Sequence, residues 1–384
     1  MRLPRIIFVL GLLIAFAALV LLLADQEHNT PRSIQPAITA QKQEKMVVST
    51  KQGSVGPSES STIDGDADAQ ISREHCNPDK VFQEHANSTD IENEDDYPDT
   101  QELAGTLSVS DNLDDLALSS MMRDGEPENR IKTALRVLET NSSHPLALVS
   151  LLRGCSANPD VSECGAQLHE LVRDGDKQNG VYWFLLANWQ LAQGKEEHVE
   201  DLLGQAASSP VYNSYWATTV SAFDKALERH FKLAEHWRAL TASGFAGAVA
   251  LDDYQPLFEF CKREGVAFTH RRSECARFAE QLENNGMTVF DLTIGLVLQF
   301  RMAQLEGNQE LVKSIETRRA ANRHKRQRDR EASAALLLKG MEVDSDPVLL
   351  IEYMQGLSVY GEIRMLDFSE RVYERKFGPL PECG

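Results

Sequence analysis

The sequence is short of almost everything that usually carries chemistry. It holds no H-E-x-x-H pair, no G-x-S-x-G elbow, no G-x-x-x-x-G-K-[ST] loop and no G-x-G-x-x-G fingerprint, so the common zinc, serine-nucleophile and nucleotide sites are missing. Positive charge is scarce: 39 Lys and Arg stand against 58 Asp and Glu, a net charge of -19, which argues against nucleic acid as a partner. Strand signals are nearly absent, with no turn dipeptide between alternating apolar runs and no strand-helix alternation. Six cysteines occur in 384 residues and never as C-x-x-C, which argues against a redox dithiol and against the close ligand spacing of zinc sites.

What is present is unevenly distributed. The length has room for two or three domains, and 42% apolar residues suffice for a core. Arg2 and Arg5 precede an uncharged, mostly apolar run from Ile6 to Ala24, closed by Asp25 and Glu27. At ~1.5 Å per residue such a run nearly spans a hydrocarbon core of roughly 30 Å. The charge order favours a cytoplasmic tail over 1–5, a signal anchor over 6–24 and export of everything beyond. A cleaved signal peptide, leaving a soluble periplasmic or secreted chain, is the competing expectation. Residues 25–127 hold 22 Asp and Glu against 7 Lys and Arg, a net of -15. With few large apolar residues before Leu103, the segment 25–103 is expected to be a disordered acidic spacer. Asp64, Asp66 and Asp68 alternate as in a calcium loop, but its Gly and later Glu are out of place. His75, Cys76 and His85 have ligand-type side chains without a framework, so no metal or cofactor is expected. Ser110-Asp111-Asn112 reads as the cap of the first repeat helix.

From about Leu103 the spacing becomes helical. In the stretch 179–210, Trp183, Leu186, Ala187 and Leu191 precede a Gly194-Lys195 turn, followed by Val199, Leu202, Leu203 and Ala206. Both sets follow i, i+3, i+4 spacing, which predicts an amphipathic helical hairpin. Stepping back by 35 residues lands on Leu148, Leu151, Leu168 and Leu171, and a second step on Leu113 and Leu116. A period near 34 with two helices per unit marks a solenoid. Trp183, Leu186, Ala187, Gly194, Val199, Leu203 and Ala206 resemble the tetratricopeptide-repeat pattern, with Gln190 in place of its late aromatic and Pro210 closing early. The resemblance covers about 100 residues and implies a superhelix whose concave face binds peptides or proteins. The expectation is therefore all-α: repeats over 104–227 and a further helical part over 228–384. Helices are expected in 228–242, 254–264, 272–284, 288–308 and 346–361.

Cys155 and Cys164, and again Cys261 and Cys275, flank helix-loop-helix corners, and both second cysteines close Ser-Glu-Cys, with Ser162 or Ser273 as candidate caps. Two structural disulfides are expected, in keeping with export. Cys76 and Cys383 have no assigned pairing. Two features are candidates for partner contact: Tyr182, Trp189 and Tyr215 on the inner face of the repeats, and the basic run 318–330 with Arg323, Arg326 and Arg328. Together these predict an inner-membrane, single-pass protein with a periplasmic domain that binds an envelope protein or peptide and performs no catalysis. An architectural role in an envelope complex is a variant of the same expectation. The alternative is an exported helical enzyme acting on glycans, for which the sequons at Asn87 and Asn141 would suit a Golgi-type transferase.

Overall fold

A computed structural model describes residues 98–122, 126–233, 235–249, 252–263, 269–341 and 362–377. The apolar run 6–24, most of the acidic segment, His75, Cys76, His85, Asn87, the helix expected over 346–361 and Cys383 lie outside the described residues. Among the described residues the chain is all-α: no strand forms, and no helix is long and apolar enough to cross a membrane.

Seven helices build the first part: α1 (Thr100–Ser108), α2 (Leu113–Met121), α3 (Pro127–Thr140), α4 (Pro145–Ala157), α5 (Gln167–Asp174), α6 (Gly180–Ala192) and α7 (Val199–Ser208). Their starts are written locally. The Asp99 side chain accepts from Glu102 N, Asn112 Oδ1 from the amides of Asp114 and Asp115, and Asn179 Oδ1 from Val181 N, satisfying donors that have no partner inside their own helices. Pro127 and Pro145 occupy first helical turns, where a missing N–H costs nothing. Asn112 thus caps α2, as expected, while α1 begins inside the stretch read as spacer.

α2 packs against α4 and α4 against α6, while α3 lies on α2 and α4, and α7 on α6. The hairpin expected within 179–210 is present as α6 and α7, with Gly194 at φ +70° reversing the chain. Trp183, however, is only half-buried, whereas Tyr182 and Phe184 beside it are fully buried.

Seven further helices follow: α8 (Trp216–His230), α9 (Glu235–Val249), α10 (Gln255–Cys261), α11 (Thr269–Asn285), α12 (Val289–Leu305), α13 (Gln309–Met341) and α14 (Glu362–Phe377). α7 packs on α11, α11 on α12, α12 on α13 and α13 on α14. The run 228–242 is not one helix: Phe231 turns extended at φ -131°, ψ 146° and separates α8 from α9. The two parts share one aromatic centre. Phe184 of α6 stacks on Tyr254 at 4.6 Å and on Phe278 of α11 at 5.4 Å, and Tyr212 meets Phe278 edge-on at 5.7 Å. Offset and edge-on pairs add about 0.5–1.5 kcal/mol each beyond burial.

Both expected disulfides form. Cys155 at the end of α4 joins Cys164 before α5, and Cys261 at the end of α10 joins Cys275 in α11, with Cα separations of 5.5 and 6.0 Å. The serine caps do not. The Ser162 hydroxyl donates to its neighbour Glu163, and Ser273 lies inside α11.

α11 and α12 approach closely at Gly295, where an added Cβ would lie 2.6 Å from Ala279 O and 2.7 Å from Glu283 N. Backbone atoms cannot yield as side chains do, so Gly295→Ala is expected to lower stability by about 1–3 kcal/mol. Gly244→Ala in α9, where nothing lies within 4 Å, should be neutral or stabilising by up to ~1 kcal/mol. Urea midpoints at unchanged slope check both.

Candidate functional site

The aromatic residues expected on an open inner face are core residues instead. Tyr182, Trp189 and Tyr215 are 1%, 3% and 9% exposed. The Tyr182 hydroxyl donates to the Tyr215 hydroxyl at 2.9 Å, and Trp189 packs edge-on against His169 of α5. Tyr182 and Tyr215 are covered by the chain itself. Tyr215, at the head of α8, is fixed on α6, and at the other end of α8 both Arg229 and His230 reach Asp115 of α2, His230 Nε2 at 2.8 Å. α8 therefore runs from α6 at its start to α2 at its end and packs on α2. α9 then returns, and the segment after it is tied to α4 and α6: Arg153 donates to Asp252 at 2.6 Å and to Val249 O at 3.3 Å, and Asn188 donates to Asp253 O at 2.8 Å.

Two adjacent carboxylates in the first turn of α2 organise this region. Asp114 pairs with His144, whose Nδ1 accepts from Ala147 N at the cap of α4, so its Nε2–H donates to Asp114 at 3.1 Å. That hydrogen bond holds the Asp114 carboxyl below its ordinary range. Burial acts to raise Asp115, but the hydrogen bonds from Arg229, His230 and Ser110 outweigh it and hold that carboxyl down as well. Sequence reasoning missed this cluster. Two acidic residues at a helix start already have a sufficient local explanation in the helix dipole, and their partners lie far away in sequence.

A second polar network is fully enclosed. Asp291 forms a capping box with Thr288 at the start of α12: one oxygen accepts from the Thr288 hydroxyl at 2.6 Å and its amide at 3.2 Å. The other accepts from the Tyr254 hydroxyl at 3.1 Å, which leaves Tyr212 to donate to Tyr254 at 2.9 Å. Burial, with the nearby Asp252 charge adding to it, pushes the Asp291 carboxyl up to about 7 despite these donors. Burial also raises Asp252, opposed by the Arg153 guanidinium. The arrangement has the parts of a proton relay, but the side chains of Tyr212, Tyr254, Asp252 and Asp291 are all buried, and it works as a polar joint between the two parts of the fold. Among the described residues no group of three His, Cys, Asp or Glu side chains is placed to hold a metal.

The basic run lies on α13. Arg318 points inward to Glu283 and to Gln299 at 3.0 Å, and Arg319 lies over the Phe300 ring at 5.2 Å. Arg323 is exposed. Arg326 and Arg328 belong to the same helix, with their side chains outside the described residues.

A folded Asp291 that titrates near 7, against an ordinary value of 3.8, holds its proton where the unfolded chain has lost it. Its contribution to stability is full below about pH 4 and falls as pH rises through 7, by on the order of a few kcal/mol. Asp291→Asn should flatten this decline, as read from urea midpoints between pH 5 and 8. Asp115 has the opposite sign, stabilising above pH 4 and failing in stronger acid. No known protein family, curated protein or solved structure matches the chain.

Proposed function

We propose that this chain is an exported, N-terminally anchored adaptor: a disulfide-stapled stack of tetratricopeptide-like helical hairpins that holds another cell-envelope protein in place and makes or breaks no bond. Three observations support it. The hairpins α2–α3, α4–α5 and α6–α7 follow one another near the expected period, and their first helices share one face. Both disulfides suit an oxidising compartment. The observation that carries the reading is α13. In a chain of net charge -19, its run of cations begins with Arg318 and Arg319 held against Glu283, Gln299 and Phe300, and continues to the exposed Arg323.

A helix fixed at its base and cationic beyond is a rigid docking rib for an acidic partner. Ion pairs at such a rim steer association and fade with salt. The partner is therefore an envelope protein with an acidic face, drawn to α13 and confined near the membrane by the apolar run 6–24.

In-cell crosslinking followed by affinity capture from detergent-solubilised membranes tests this. Wild type should recover a specific envelope protein in a salt-dependent manner. Arg323→Glu combined with Arg326→Glu and Arg328→Glu should lose it at least tenfold. Recovery unchanged by the triple substitution would sink the assignment to α13, and no specific protein from either form would sink the adaptor.

A further inference from the structure

The α8–α9 hairpin has the construction of a strap instead of an ordinary core element. Its entry is a left-handed residue: Tyr215 lies at φ 60°, ψ 18°, a conformation that costs a bulky side chain of order 1 kcal/mol or more and persists only where its surroundings impose it. Those surroundings are specific. Asn179 accepts from Asn213 N and donates to Asn213 O, both at 2.9 Å, Asn213 Oδ1 accepts from Tyr215 N at 2.8 Å, and the Tyr215 hydroxyl is held by Tyr182.

The far end is held by charge: Asp115, with a fully buried side chain, against Arg229 and His230, which are 35% and 26% exposed. Beyond the latch, α9 buries only Ala239, Ala242 and Ala246 among its described side chains and packs on α8, with the Phe245 ring 5.6 Å from Phe223. α8 carries the larger buried side chains of the hairpin and packs on α2. It buries Val220, Phe223 and Leu227, an i, i+3, i+7 stripe, and places its cation two residues after the last of them.

We infer that α8–α9 is a displaceable strap, hinged at Asn213–Tyr215 and latched on Asp115, which covers a second binding face formed by α2, α4 and α6. The strap specifies its replacement. An incoming helix must present aliphatic or aromatic side chains at i, i+3 and i+7 and a cation at i+9, so that the Asp115 carboxylate, once covered again, is not left with the Ser110 hydroxyl as its one side-chain donor and no cation. An amphipathic helix of this pattern restores what the departing strap removes, and Tyr215 is released from its strained conformation in the exchange. This face takes a cationic amphipathic helix, whereas α13 takes an acidic surface, so the two sites do not compete for one ligand. The proposal borrows from the adaptor reading only the expectation that a partner exists.

The test uses the full chain. Hydrogen exchange in wild type should show amides of 216–249 opening while α4, α6, α11 and α12 stay protected. Arg229→Ala with His230→Ala should speed exchange of 216–249 at least tenfold and leave α11–α12 unchanged. Should that pair of substitutions destabilise the whole chain, Tyr182→Phe removes only a hydroxyl at the hinge and should give a smaller but equally selective acceleration. A fluorescent synthetic peptide of residues 214–231 should bind the latch variant at least tenfold more tightly than wild type, and its Phe223→Asp form should not bind. Exchange of α8 at the same rate as α4 and α6 in every form, or a peptide that binds neither protein, overturns the strap. Neither readout involves the envelope partner, so failure of capture with selective opening of 216–249 would remove the adaptor reading alone.

Discussion

Burial of α6 around nearly its whole circumference governs the rest of the structure. Val181, Tyr182, Phe184, Leu185, Leu186, Ala187, Asn188, Trp189 and Gln190 are all inside, so the helix has no solvent face to spare. Every neighbour is placed by the need to cover it: α4 on one flank, α7 on another, α10 and the Tyr215 corner over the remainder. Polar side chains inside such a helix are satisfied in part, with Asn188 Oδ1, Trp189 Nε1 and Gln190 Oε1 buried without a hydrogen-bond partner. Asn188 donates to Asp253 O, and the Gln190 amide meets His169 at 3.0 Å. An apolar helix of this kind gains little from an amphipathic repeat alone, because a repeat leaves one face open.

That distinction explains how much of the molecule was legible. The α6–α7 hairpin and the unit before it could be read because their signals are local, apolar spacing and Gly194 at the reversal, as could the Asn112 cap of α2. The disulfide corners were legible for the same reason. The break between α8 and α9 was not, since 228–242 contains no Gly or Pro and keeps an apolar period across the point where Phe231 turns extended. The break directly follows Arg229 and His230, which are attached to a carboxylate in α2, a long-range contact with no local trace. The aromatic residues misled in a related way. Their types suit a binding groove and an interior equally well, and only the path of α8 decides that Tyr182 and Tyr215 are inside.

The charges divide into three populations with different physics. Exposed pairs such as Lys132–Glu128 are worth little. Pairs with one enclosed partner, Asp115 with Arg229 and Asp252 with Arg153, fix which elements meet, because the desolvated carboxylate tolerates no other arrangement. Arg323 of α13, beyond Arg319, is exposed and belongs to a third group, at the surface of a basic run. The carboxylates that specify the fold thus lie on elements other than the basic run of α13.

The two disulfides among the described residues join neighbours in chain order, Cys155 to Cys164 and Cys261 to Cys275, with separations of 9 and 14 residues. Short loops close at low entropic cost. A chain that emerges N-terminus first can therefore complete the first link before the second pair is available, and each link gathers only its own corner. Linkage between chain neighbours lets oxidation follow the order of synthesis, with each link closing a corner that needs none of the distant contacts around α6.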